Sequence, residues 1–178
     1  MTSSLADGFT LVELMLVVTV VGILASIAIP SVSKARKAAV EASTIGSLRA
    51  LNTSLAGYAT SCGAGFFPPS ITNLATSPGK GLPAFAPVGF VSDSTTRESY
   101  LYLFTAGTVG TNAPASCNGV KAGQGVQGYF LEADPLVVGS GGIGRYFGTS
   151  AGGTIYQDSA RVRAFYNGAA PAPAIPIQ

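Results

Sequence analysis

Few residues in this chain can do chemistry. It has no His and only two Cys, Cys62 and Cys117, in 178 residues. That removes Ser-His-Asp and Cys-His nucleophilic sites, His-ligated metals and multi-cysteine zinc modules. Oxygen ligands remain. Glu132 and Asp134 fall on one face of a strand-like run and could join Asp93 or Asp158 around calcium, or act as an acid–base pair. Their spacing is diagnostic of neither, and solvated surface carboxylates are the plainer reading, so Asp134 and Asp158 stand only as calcium candidates. Gly139 to Gly144 (GSGGIG) formally fits the phosphate-cradling G-x-G-x-x-G pattern, but Arg145-Tyr146-Phe147-Gly148 after it reads as strand and turn. Without a βαβ unit to present them, those glycines read as a surface turn. No catalytic residue and no cofactor follow from the sequence. Charged residues are 10% of the chain and the net charge is +2, so nucleic acid is not indicated as a partner. Asn52-Thr53-Ser54 is a glycosylation sequon by pattern alone, inside a helix-compatible stretch.

The length fits one domain of ordinary size, and the apolar residues are concentrated near the start. Leu14 to Ser33 runs 20 residues without a charge. As a helix rising 1.5 Å per residue it is about 30 Å long, the thickness of a bilayer's hydrocarbon core and more than a secretory signal's apolar region needs. Hydropathy alone allows a plain single-span anchor or a buried core helix. Two polar details narrow the choice. Glu13 stands one residue before the run, where a carboxylate needs a partner; with Thr10 as N-cap it could complete a capping box. A short polar leader, Met1 to Gly8, ends directly before Phe9-Thr10-Leu11-Val12-Glu13.

At these residues, GFTLVELMLVVTVVGILASIAIP from Gly8 to Pro30, the sequence resembles type IV pilins and pseudopilins, strongly over about 30 residues and only in organisation beyond them. The resemblance implies that prepilin peptidase cuts between Gly8 and Phe9 and N-methylates Phe9. It also implies a reason for Glu13: the new amino group at Phe9 is a cation in an apolar filament core, and a neighbouring subunit's carboxylate can neutralise it. Gly22 and Pro30 weaken helices, so the stretch between them is the candidate for loosening on assembly. The implied partners are further copies in a helical filament, prepilin peptidase, a pilus or type II secretion assembly platform, and the membrane before assembly. The implied location is the cytoplasmic membrane as a single-pass precursor, then an extracellular filament on a prokaryotic cell. The alternative within the resemblance is a pseudopilin forming a short periplasmic pseudopilus. The leader has no Lys or Arg, while Lys34, Arg36 and Lys37 follow the run, which the positive-inside rule would keep cytoplasmic. With a long domain to translocate, the resemblance decides, and the C-terminal part is expected outside the membrane. In that oxidising setting Cys62 and Cys117 are expected to form a disulfide.

The elements that must carry these residues follow from pattern. Leu48, Leu51, Leu55 and Tyr58 recur at helical spacing, predicting one helix from about Phe9 to Ala59 whose second half packs that stripe on a sheet. Gly63 to Gly89 reads as loop. Strands are predicted at Ser99–Thr105, Tyr129–Ala133, Thr154–Gln157 and Val162–Tyr166, and the Pro-rich tail AAPAPAIPIQ is expected on the surface. The fold class is therefore α+β, a long N-terminal helix on an antiparallel sheet of about four strands. The expected organisation is a leader at 1–8, a transmembrane or filament-core helix at 9–33 and an extracytoplasmic globular domain at 34–178.

Overall fold

In the computed structural model, which describes residues 8–137, 144–166 and 168–177, helix α1 spans Leu11–Ser61 and runs unbroken past Gly22 and Pro30. Contacts divide the chain into two units, Met1–Ala39 and Val40–Gln178. Within the first, every described side chain up to Arg36 is exposed. The carbonyl of Ser26 has no N–H from Pro30 to accept. Hydroxyls on the same stretch turn back to the helix, Thr19 donating to the Leu16 carbonyl (2.8 Å) and Ser26 to that of Ile23 (2.7 Å).

In the second unit the helix becomes amphipathic. Its buried residues are Glu41, Thr44, Leu48, Leu51, Asn52, Leu55, Tyr58 and Ala59, one face at spacings of three and four. The helix stops where Gly63 has no room for a Cβ, the Phe66 carbonyl occupying that place. One residue past α1, Cys62 bonds Cys117 across a sequence separation of 55, as expected. In the chain-entropy account a closed loop of that length contributes about 4 kcal/mol. The passage predicted as loop contains one short helix, α2 (Ile71–Leu74), whose N-cap Ser70 accepts from the Asn73 amide.

The sheet is a six-stranded antiparallel meander in sequence order: β1 Ser94–Arg97, β2 Tyr100–Ala106, β3 Tyr129–Pro135, β4 Tyr146–Ser150, β5 Ile155–Asp158 and β6 Ile175–Pro176. Three predicted strands are present within a residue or two. The fourth, Val162–Tyr166, is not a strand. Alternation assigns the two faces: with Phe104 opposite Leu131 and Ala133 opposite Phe147, the side chains of Tyr100, Tyr102, Phe104, Tyr129, Leu131, Phe147 and Ile155 pack with the α1 stripe in one core. A polar pin crosses this core. Asn52 donates to Thr149 Oγ1 (2.9 Å) and the Gly153 carbonyl (3.3 Å), and accepts from the Tyr129 hydroxyl (3.0 Å). Burial raises the Tyr129 hydroxyl pKa well above the usual phenol range.

Residues Arg161–Phe165 instead lie as a strap across the outer face. Val162 and Phe165 are buried against Phe130 and Tyr156, and Val162 sits over Gly148, where a Cβ would come within 2.9 Å of it. Their spacing of three, against a strand period of two, is why the run does not pair. The tail lies on the surface as expected, and Ile175–Pro176 within it pairs with β5 at the sheet's edge, the position where a sheet tolerates proline.

Arg161 ties the strap to β3, its guanidinium reaching Glu132 Oε1 (2.6 Å) and Asp134 Oδ2 (2.8 Å). Two carboxylates share one cation, and Asp134 Oδ1 is buried without a hydrogen-bond partner. Burial, helped by the Glu132 charge and opposed by Arg161, pushes the Asp134 carboxyl from 3.8 up to about 6. In that interval the folded chain holds a proton that the unfolded chain has released. The group's stabilising contribution is therefore complete below pH 4 and lost as pH rises through 6. Denaturant midpoints of the full chain in detergent should fall across this window by the equivalent of about 1 kcal/mol, after discounting for solvent screening. Asp134→Asn should abolish that part of the slope; an unchanged slope would show that another group titrates.

Candidate functional site

The chemistry-bearing residues nearest the start are Gly8, Phe9, Thr10 and Glu13. Gly8 and Phe9 precede α1 and are exposed, Phe9 at 67%. Thr10 caps the helix: its Oγ1 accepts from the Glu13 amide at 3.2 Å, its hydroxyl lies 3.4 Å from Glu13 Oε2, and its carbonyl accepts from the Leu14 amide at 3.2 Å. Thr10 and Glu13 thus satisfy the first turn locally, and a carboxylate there also suits the positive end of the helix dipole. In this chain Phe9 carries an amide, so Glu13 has no amine of its own to meet. Leader residues 1–7 lie outside the described residues.

Gly22 is exposed, and a Cβ built on it would meet nothing within 4 Å. Its smallness serves no packing inside the chain. Around it fourteen large apolar side chains between Leu11 and Val32 are exposed.

The oxygen ligands considered for calcium do not converge. Asp134 and Glu132 are held by Arg161, Asp93 Oδ1 accepts from the Ile71 amide at 2.6 Å, and Asp158 Oδ1 closes its own turn on the amides of Ser159 (2.6 Å) and Ala160 (3.3 Å). No group of three potential ligand residues occurs among the described residues. The calcium candidates Asp134 and Asp158 are corrected to an ion-pair partner and a turn cap, because backbone amides and one guanidinium reach them first. Glu132 and Asp134 are not the solvated pair of the plain reading either, being largely buried under the strap. Gly139 to Ile143 of the glycine run lie outside the described residues. The sequon is also reassigned: Asn52 is buried and its amide is spent on Thr149 and Gly153.

Two basic residues have ion-pair roles that the sequence does not signal. Arg161 and Arg145 each hold a carboxylate of a distant element. Arg145 pairs with Glu41 of α1, 104 positions away (Nε to Oε2 2.8 Å), and with Gln157 Oε1 (2.8 Å). Glu41 in turn keeps the Arg145 pKa above the ordinary guanidinium range. Nothing in linear spacing signals such a pair.

Residues 4–29 match the family model of the prokaryotic N-terminal methylation motif. No curated protein and no solved structure matches the chain. The matched segment takes in Gly8, Phe9, Glu13 and Gly22 and stops one residue before Pro30. Over residues 4–29 the chain thus carries the prokaryotic N-terminal methylation motif, the leader signature of type IV pilins and pseudopilins.

Proposed function

We propose that the chain is a structural subunit of a type IV pilus-like filament. Prepilin peptidase removes residues 1–8 and N-methylates Phe9, residues 9–33 anchor the mature subunit in the cytoplasmic membrane and then form the filament core, and residues 34–178 form the domain displayed outside the prokaryotic cell. The observation that carries this reading is the uncharged helical run Leu14–Ser33, exposed throughout and lying largely within the methylation motif match at residues 4–29. A helix apolar on all sides is stable only in lipid or against like helices. The role is that of a building block rather than a catalyst.

Mass spectrometry of fibres sheared from cells should find the mature N-terminus as N-methylated Phe9. Met1 retained in surface protein would defeat the reading, and mature protein confined to the envelope, with no fibres, would transfer it to the pseudopilus.

Glu13 is proposed to neutralise the Phe9 amine of a neighbouring subunit. Glu13→Gln keeps shape and most capping capacity but removes the charge. Loss of one partner of a desolvated pair costs about 3–5 kcal/mol. Normal cleavage after Gly8 with severely reduced fibre yield is expected, read as sheared fibre against mature protein left in the membrane. Wild-type yield would leave Glu13 as a helix cap only.

Gly22→Ala separates helix stability from assembly. In the isolated chain the methyl meets nothing, and it favours the helix by about 1 kcal/mol. If the Gly22–Pro30 stretch loosens in the filament, circular dichroism of the solubilised subunit should show helix content at least equal to wild type while fibre yield falls. An unchanged yield would argue against loosening there.

A further inference from the structure

Assembly leaves one charge pattern without a role. Lys34, Arg36 and Lys37 are three of the chain's ten Lys and Arg residues, placed within four positions directly after the uncharged run. Lys34 and Arg36 are exposed and Lys37 half-buried, and among the described residues none of the three makes an ion pair. The next carboxylate along α1, Glu41, is taken by Arg145. At about 100° per residue the three cations share one broad side of the helix. The run is as long as a bilayer's hydrocarbon core, about 30 Å, so Lys34 emerges at the level of the headgroups. Cations on a translocated side run against the positive-inside bias, and insertion does not call for them.

We infer that Lys34, Arg36 and Lys37 form a collar that binds the phosphates of acidic phospholipids where α1 leaves the membrane, holding the unassembled mature subunit at a fixed depth. The inference rests on the membrane-anchored stage of the proposed function. Lipid fits the collar better than a second copy of this chain. Among the described carboxylates Glu41, Glu132 and Asp134 are committed to Arg145 and Arg161, Asp93 and Asp158 are bonded to backbone amides, and Glu13 lies at the other end of the run. Glu98 is the one that remains, too little to neutralise three cations. Lysine stems lie along the apolar edge while their ammonium groups reach outward, and the Arg36 fork matches two oxygens of one phosphate.

The chain has no Trp, so Ser33→Trp supplies a single fluorescent reporter beside the collar. The full-length mature protein is reconstituted in equal mixtures of phosphatidylglycerol and phosphatidylcholine, with brominated acyl chains on one or the other. Quenching should favour brominated phosphatidylglycerol by about fivefold or more, the worth of a single cation near an anionic surface. The preference should shrink with added salt and vanish in the triple variant Lys34→Gln, Arg36→Gln, Lys37→Gln. Equal quenching by both lipids, or a preference that survives the triple substitution, overturns the collar while leaving the membrane anchor intact. Quenching by neither lipid overturns both. A triple variant with unchanged lipid preference but lost fibres assigns the cations to a neighbouring subunit instead.

Discussion

An apolar helical surface that its own chain cannot cover is the constraint on which the rest depends. Fourteen large apolar side chains between Leu11 and Val32 stand exposed. At roughly 1.5–3 kcal/mol for each such side chain moved out of water, the run represents on the order of 20–40 kcal/mol, more than the 5–15 kcal/mol that holds a typical domain together. Water is therefore not its solvent. Lipid and a bundle of identical helices are the two surroundings that satisfy both its side chains and its backbone. Four of the polar residues in and beside it, Thr10, Glu13, Thr19 and Ser26, direct their hydroxyls or amides back into the helix.

The second unit solves a separate problem. From Glu41 onward the same helix has a single apolar face, and the inner face of the sheet covers it. Specificity is added by groups that do little for bulk stability. Asn52 bonds Tyr129, Thr149 and Gly153 at one register of helix on sheet, and a one-turn slip would leave the buried Asn52 amide and Tyr129 hydroxyl without these partners. The Glu41–Arg145 pair adds a second registration point. On the outer face, where no helix lies, Val162 and Phe165 of the strap take over the covering role.

What was legible in the sequence was whatever is written in consecutive residues. The junction at Gly8-Phe9, the carboxylate at Glu13, the uncharged run and the Leu48–Tyr58 stripe are linear signals, and the helix and its buried face follow from them. The cysteine pair was legible from its even count together with the expected compartment. Strand β1, Ser-Thr-Thr-Arg, has no apolar alternation because as an edge strand it buries little, and β6 was hidden by its prolines. The strap was misread because aromatic and β-branched residues favour a strand wherever they cluster, while the strap's burial period is three. Carboxylate roles were the least legible. Asp134, Asp158 and Asn52 were judged by type and motif, whereas their partners lie on other elements or in the backbone of their own turns.

The disulfide determines how the second unit bears load. In a fibre of the proposed kind tension would enter through α1, and in a non-covalent design it would peel the leucine stripe from the sheet one contact at a time. Cys62 follows directly on the end of that helix, and its sulfur continues the covalent path into the segment that leads to β3. Stress arriving along the helix would thus be handed through the disulfide to the loop before β3, bypassing the chain that runs through β1 and β2. The antiparallel meander is then loaded at an interior strand rather than unzipped from the weak β1 or β6 edge. In such a fibre, toughness would be a matter of where one covalent link leads into the sheet, not of how much surface is buried.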